Sequence, residues 1–197
     1  ACKDGFHGRS SAGVAGTDSG TIIGPSNGQQ KVTILELNDI EGVKKELEKG
    51  DVCAVIVEFI QGVGGLDQAN AQFFEQVDVL CKANNTFFIA DEVQSGYGRS
   101  GKFFAFQHYN VTPNIISIAK GMGNGFPIGG IFIHPTIEAK FGMLGTTFGG
   151  NHLACVAGLS VLNVIEEDNL MDNVNAMSEY FIKIASTIPQ IKKIKGR

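Results

Sequence analysis

The sequence predicts an α/β fold: a mostly parallel sheet with flanking helices. Two observations point to it. Short, nearly continuous runs of β-branched and aromatic residues alternate with stretches whose apolar residues recur at helical spacing, the alternation of strands with crossover helices. Three of the apolar runs also end in polar residues, Glu58 with Gln61, Asp91 with Gln94, and Lys120. That is the carboxyl edge at which open parallel sheets bind their ligands.

Taken in order, residues 5–28 are rich in Gly and Ser and predict a loop with one short helical turn. KVTILEL (31–37) reads as a strand. IEGVKKELEKG (40–50) has helical spacing, with Asn38 or Asp39 as N-cap and Gly50 as a stop. DVCAVIVEFI (51–60) has the unbroken apolar character of a parallel strand buried on both faces. ANAQFFEQVDVLCKAN (69–84) follows as an amphipathic helix. TFFIADE (86–92), NIISIAKG (114–121) and GGIFIH (129–134) are the next three strands. From His152 onward the pattern is helical, in two segments at 152–168 and 169–188.

Composition narrows the function classes. The chain has 197 residues, 43% hydrophobic and 18% charged, with a formal net charge of −4. That supports a sizeable core and argues against a basic nucleic-acid footprint or a basic membrane-facing helix. The terminal IKKIKGR reads as a solvated helix end. Cys2, Cys53, Cys81 and Cys155 form no C-x-x-C pair, and the last three stand in apolar contexts, so buried free thiols in a reducing compartment are expected. With no bilayer-length apolar run and no signal-peptide layout, the expectation is a cytoplasmic protein. The opening ACKDGFHGRSSAG has no recognisable element start, which a piece of a longer protein explains.

Several chemistries compete for the acids and the lysine. An apolar strand ending in Asp91-Glu92 is shaped like a Walker B strand, but that mechanism needs G-x-x-x-x-G-K-[ST], and GRSGKF offers Phe103 where the hydroxyl belongs. GMGNGFPIGG fails the G-x-G-x-x-G spacing in any frame and reads as a tightly turning loop. His7, His108, His134 and His152 are scattered without ligand spacing, so no metal site is expected and each reads as a structural or surface histidine. Asp91 and Lys120 together fit a different chemistry. A desolvated lysine at a strand end is a competent amine nucleophile. Facing a carboxylate, it suits pyridoxal phosphate: the amine bonds the aldehyde and the acid holds the pyridine nitrogen protonated. An interstrand salt bridge with no catalytic role explains the same pair.

At this point the residues resemble a known family. IADEVQSGYGRSGKFFAFQHYNVTPNIISIAKGMGNGFPIGG is similar to the signature of the class III, fold type I pyridoxal-phosphate aminotransferases. FHGRS near the start and GTTFGGNHLACVAG after the lysine extend the likeness, which runs from about residue 5 to the end. Within the family the likeness is greatest to acetylornithine aminotransferases, with ornithine and 4-aminobutyrate aminotransferases as relatives. The resemblance implies that residues 1–168 are part of the cofactor-binding large domain and that 169–197 lead into a small C-terminal domain. It implies that Lys120 carries pyridoxal 5′-phosphate and shuttles the proton, and that Asp91 partners the pyridine nitrogen. Gln94 would lie near the cofactor's phenolic oxygen, Val93 against one ring face and Phe6 against the other. Arg9 would bind a substrate carboxylate through its guanidinium fork. Thr147 would reach the phosphate of a neighbouring subunit, Thr146 the substrate there, so a homodimer with shared sites is implied. Glu58 is a further candidate site member, and Glu92 reads as a hydrogen-bonding scaffold.

The implied reaction moves the terminal amino group of an N-acylornithine to 2-oxoglutarate, giving glutamate, a step of arginine biosynthesis. Two departures bear on it. The family pattern V-E-P-I-Q-G-E-G-G is VEFIQGVGG here, with Phe59 for Pro and Val63 for Glu. Val63 removes a carboxylate that the resemblance assigns to switching between substrates, so a larger acyl group such as succinyl becomes a candidate. His152 replaces the usual Pro after GGN and is expected to be structural. The phosphate-binding loop and the bulk of the small domain have no counterpart in these residues. The expectation is that this chain alone binds the cofactor weakly and has little or no transaminase activity.

Overall fold

Four strands form one sheet, in the order β1-β2-β3-β4: β1 (Ala54–Val57), β2 (Phe87–Asp91), β3 (Ile115–Ile118) and β4 (Gly130–Ile133). The computed structural model describes residues 1–25 and 30–197. The first three strands are parallel, with Val57 opposite Ala90 and Asp91 opposite Ser117, and β4 returns antiparallel to β3. The register brings the carboxyl ends of β1, β2 and β3 to one edge, and the polar residues that follow them gather there.

Helices α2 (Ile40–Leu47) and α3 (Ala71–Ala83) supply the main cover. Each starts where its sequence provides a cap: Asp39 accepts from the Gly42 N–H, and Asn70 from the Phe73 N–H. Gly50 ends the first helical stretch with φ of +73°, a conformation that costs a residue without Cβ little. Their apolar faces and β1–β2 enclose Val43, Leu47, Phe73, Phe74, Val77, Cys81 and Phe88. Phe59 sits at the centre, 0% exposed, with its ring 4.5 Å from Phe74 and 5.5 Å from Tyr109. The short helix α1 (Ser11–Gly16) is the single helical turn expected in the Gly/Ser-rich segment, capped by Ser10; positions 26–28 of that segment lie outside the described residues. α4 (His152–Glu167) and α5 (Leu170–Ala185) form the C-terminal helical pair. His152 occupies the first turn of α4, where a proline is also at home because that N–H has no intrahelical partner.

Five expectations need correction. Residues 31–37 make only an isolated parallel bridge, Leu35 to Cys2, because the segment pairs with the first residues of the chain and not with the sheet. β1 is shorter than expected and its first three residues are only half-buried. Cys53 and Cys155 are exposed, and only Cys2 and Cys81 are buried, since apolar neighbours in sequence do not determine which face a residue occupies. IKKIKGR does not end a helix. It runs back over the loops, where Lys193 and Lys195 pair with Asp67 and Arg197 meets His108 and the Tyr109 ring. Lys120 lies beyond β3, in a 3-10 turn from Lys120 to Met122.

Candidate active site

Beyond the carboxyl ends of β1, β2 and β3 lies a cavity of about 230 Å³. Six residues singled out from sequence line it: Phe6, Glu58, Asp91, Val93, Gln94 and Lys120. They come from four separate stretches: the parallel register aligns the three that follow β1, β2 and β3, and the bond from the Phe6 N–H to Glu58 brings in the fourth. A larger cavity of about 510 Å³ lies between the loop at Tyr97 and α4–α5, with mainly aliphatic walls and none of these residues.

Asp91 ends β2 and is buried. Its Oδ1 accepts from the Val93 N–H at 3.1 Å and the Ser117 hydroxyl at 3.0 Å. Its Oδ2 lies 2.7 Å from His7 Nδ1. An ionised carboxylate offers about four acceptor positions, so one on Oδ2 remains for a donor in the cavity. Glu58 is also buried, and accepts from the Phe6 N–H at 2.8 Å and the Gly62 N–H at 3.1 Å. It thereby ties the N-terminal loop to the end of β1. Burial pushes the Glu58 carboxyl above its ordinary range, against the pull of those two amide donors.

Glu92 faces away from the cavity. It accepts from Ser95 Oγ at 2.7 Å, the Ala105 N–H at 3.0 Å and the Phe106 N–H at 2.8 Å, and so pins the loop of residues 93–104 beneath the site. Burial raises its carboxyl too.

The lysine departs from expectation. Lys120 is exposed rather than buried at a strand end, and its ammonium donates to Gln94 Oε1 at 2.6 Å, not to Asp91. Neither the desolvated nucleophile nor the interstrand salt bridge is what the structure shows. β3 stops at Ile118, and Ala119 (φ −162°, ψ −144°) swings the chain into a turn closed by the Met122 N–H on Ala119 O. Lys120 itself has a φ of +36°, a left-handed conformation that costs a residue with Cβ on the order of 1–3 kcal/mol and is concentrated at functional sites.

Three expected residues lie outside the cavity lining. Arg9 is exposed at the start of the Gly/Ser-rich segment, and Thr146 and Thr147 are exposed in the loop before α4. Val63 stands in the lining, 68% exposed. Sequence reasoning missed two residues that touch Asp91. Ser117 carries no local signal beyond being a polar residue inside an apolar strand. His7 is separated from Asp91 by 84 positions, and its only clue is its place beside Phe6 in FHGR.

The whole chain, residues 1–197, matches the family described as aminotransferase class-III. The chain belongs to the class-III aminotransferases. Among similar proteins of that kind, an acetylornithine aminotransferase of Caldanaerobacter subterraneus is 38% identical over 99% of this chain and 51% of its own length. That of Aquifex aeolicus is 40% identical over 82% of this chain and 43% of its own. The fold superposes on the ornithine aminotransferase of Toxoplasma gondii with a TM-score of 0.89, at 27% identity over all of this chain and 49% of that one. This chain therefore spans about half the length of the aminotransferases it matches. The pyridoxal phosphate-type family excludes the nucleotide-hydrolase alternative, and GRSGKF accordingly lies in turns and bends rather than between a strand and a helix.

Class-III aminotransferases depend on pyridoxal 5′-phosphate. The donor set here fits that group. One cavity offers an amine on Lys120, an open acceptor position on Asp91, an aromatic ring on Phe6 and an aliphatic side chain on Val93. Among the described residues no set of three or more His, Cys, Asp or Glu is placed to hold a metal, and no helix is long and apolar enough to cross a membrane.

Proposed function

We propose that this chain is the cofactor-binding part of an aminotransferase that moves the terminal amino group of an N-acylornithine to 2-oxoglutarate, releasing glutamate, in a ping-pong reaction of arginine biosynthesis. The observation that carries it is that Lys120 and the carboxylate of Asp91 line one cavity at the sheet's carboxyl edge. The names of the similar acetylornithine aminotransferases support the donor. Pyridoxal phosphate would supply an electron sink for the carbon that loses a proton.

The chain's own residues would divide the work as follows. Lys120 would hold the cofactor and, as a free amine, move the proton; its amino group lies 2.6 Å from Gln94 Oε1. Asp91 would accept the cofactor's ring N–H. Phe6 and Val93 confine the ring, and Glu58 fixes Phe6 through its main-chain N–H. Arg9 is assigned to a substrate carboxylate. Thr147 and Thr146 are assigned to the phosphate and substrate of a neighbouring copy, which makes a homodimer part of the proposal. So too is the division at residue 168, with residues 169–197 leading into a small domain; Asn169, between α4 and α5, has a φ of +50°.

Ornithine as donor is the second reading, supported by the likeness to solved ornithine aminotransferases; 4-aminobutyrate is a third. The full-length protein, loaded with pyridoxal 5′-phosphate and reduced with borohydride, is expected to carry a pyridoxyl adduct on Lys120 by mass spectrometry. Turnover should be fastest with N-acetylornithine or N-succinylornithine. Absence of the adduct rejects the chemistry, and faster turnover of ornithine or 4-aminobutyrate rejects the donor. Equal rates for the two acylornithines would remove Val63 as a discriminator between acyl groups.

A further inference from the structure

The His7 side chain is 3% exposed and pairs with Asp91. Its main-chain N–H donates to Thr17 Oγ1 at 2.9 Å, which anchors the residue against the end of α1. Its ring is wedged between two glycines. A Cβ at Gly5 would stand 3.3 Å from Nε2, and one at Gly16 would stand 3.6 Å from Cδ2. A side chain at Gly5 would crowd the ring, so the glycine leaves the imidazole its place.

Its two nitrogens are unequal. Nδ1 lies 2.7 Å from Asp91 Oδ2, whereas Nε2 is buried with no partner among the described residues. An ionised carboxylate only accepts, so Nδ1 carries the proton. The hydrogen bond thus places a proton on Nδ1, between the ring and Asp91 Oδ2.

Asp91 shows what that proton does. Oδ1 is filled by the Val93 N–H and the Ser117 hydroxyl. Among the described residues Oδ2 has His7 as its partner, and a carboxylate oxygen can accept a second bond. We infer that His7 is a positioning residue: its Nδ1–H fixes Asp91 Oδ2 so that the remaining acceptor position meets the ring N–H of the bound cofactor. The inference rests on the function proposed above. His7 does not touch the reacting atoms; it acts through Asp91.

The test uses the full-length protein with pyridoxal 5′-phosphate labelled with ¹⁵N in the ring. His7→Leu removes the N–H. His7→Asn keeps an amide N–H near the position of Nδ1, and His7→Gln carries its amide nearer the position of Nε2. His7→Leu is expected to weaken cofactor retention by on the order of tenfold or more, the scale of losing a hydrogen bond to a charged group. It should also move the ring ¹⁵N resonance towards the unprotonated range. His7→Asn should restore both readouts and His7→Gln neither. In the unloaded wild type, imidazole ¹⁵N shifts should report a proton on Nδ1.

A wild-type ring shift in folded, loaded His7→Leu overturns the inference. So does equal loss in the Asn and Leu variants, or an Nδ1 without a proton in the unloaded protein. A wild type that forms no borohydride-stable adduct on Lys120 instead defeats the functional reading beneath it, so the two failures are told apart.

Discussion

Asp91 and Glu92 are neighbours in sequence with separate partners. Asp91 lines the cavity, while Glu92 collects three donors from the loop and the 3-10 turn that follow β2. Glutamine at position 92 keeps one acceptor oxygen and turns an amide donor towards at least one of those N–H or O–H groups. Glu92→Gln is therefore expected to cost about 1–3 kcal/mol, the penalty of a buried donor left unmet, by urea denaturation. The pH dependence carries a sign. Burial raises the Glu92 carboxyl above its ordinary 4.5, so in that window the folded chain holds a proton that the unfolded chain has released. The contribution is fully present below 4.5 and is lost as pH rises through the folded value. Glu58 is raised in the same direction, so both slopes overlap in the wild type. The difference between wild type and Glu92→Gln isolates one of them: the wild type's advantage should shrink as pH rises across the window.

At the scale of elements, the core is built around the segment just after β1. Phe59 is completely buried against α3, β2 and the 105–108 turn, with ring contacts to Phe74, Phe88, Phe106 and Tyr109. Phe59→Ala is expected to cost about 3–5 kcal/mol in unfolding free energy. Because Glu58 precedes it and clamps Phe6 and Gly62, the same variant should also lose cofactor affinity, whereas a surface substitution of equal destabilisation should not.

The alternation of strands and helices was legible because helical and strand periodicity are local. So was the carboxyl edge, because polar residues end apolar runs there. Pairing was not local: 31–37 has strand composition, but it pairs away from the sheet, through a single bridge from Leu35 to Cys2. Lys120 looked like a strand end because IISIA is apolar, and nothing in that run marks the turn at Ala119. Asp91 was legible as a site residue, but its grip by His7 depends on a contact across 84 positions, which no spacing rule reaches.

At the scale of the molecule, the core beneath α2 and α3 is closed, while β4 and the C-terminal helices leave apolar residues exposed. Along α4, Leu153, Val156 and Leu159 are 72%, 60% and 59% exposed, and Cys155 lies exposed among them. On α5, Met177, Tyr180 and Phe181 are exposed as well. Contiguous apolar surface of this kind marks a covered face. The four free thiols can report what covers it. Cys81, whose thiol burial pushes up to about 12, should resist a maleimide until the chain unfolds, as should buried Cys2. Cys53 and Cys155 should react in the folded 197-residue chain. In the full-length protein, the proposed homodimer predicts that Cys155 is protected and that the protection falls on dilution, with Cys53 as the internal reference. Protection independent of concentration would mean that the α4 face is covered within one polypeptide. No protection at all would mean that the dimer, if formed, uses another surface.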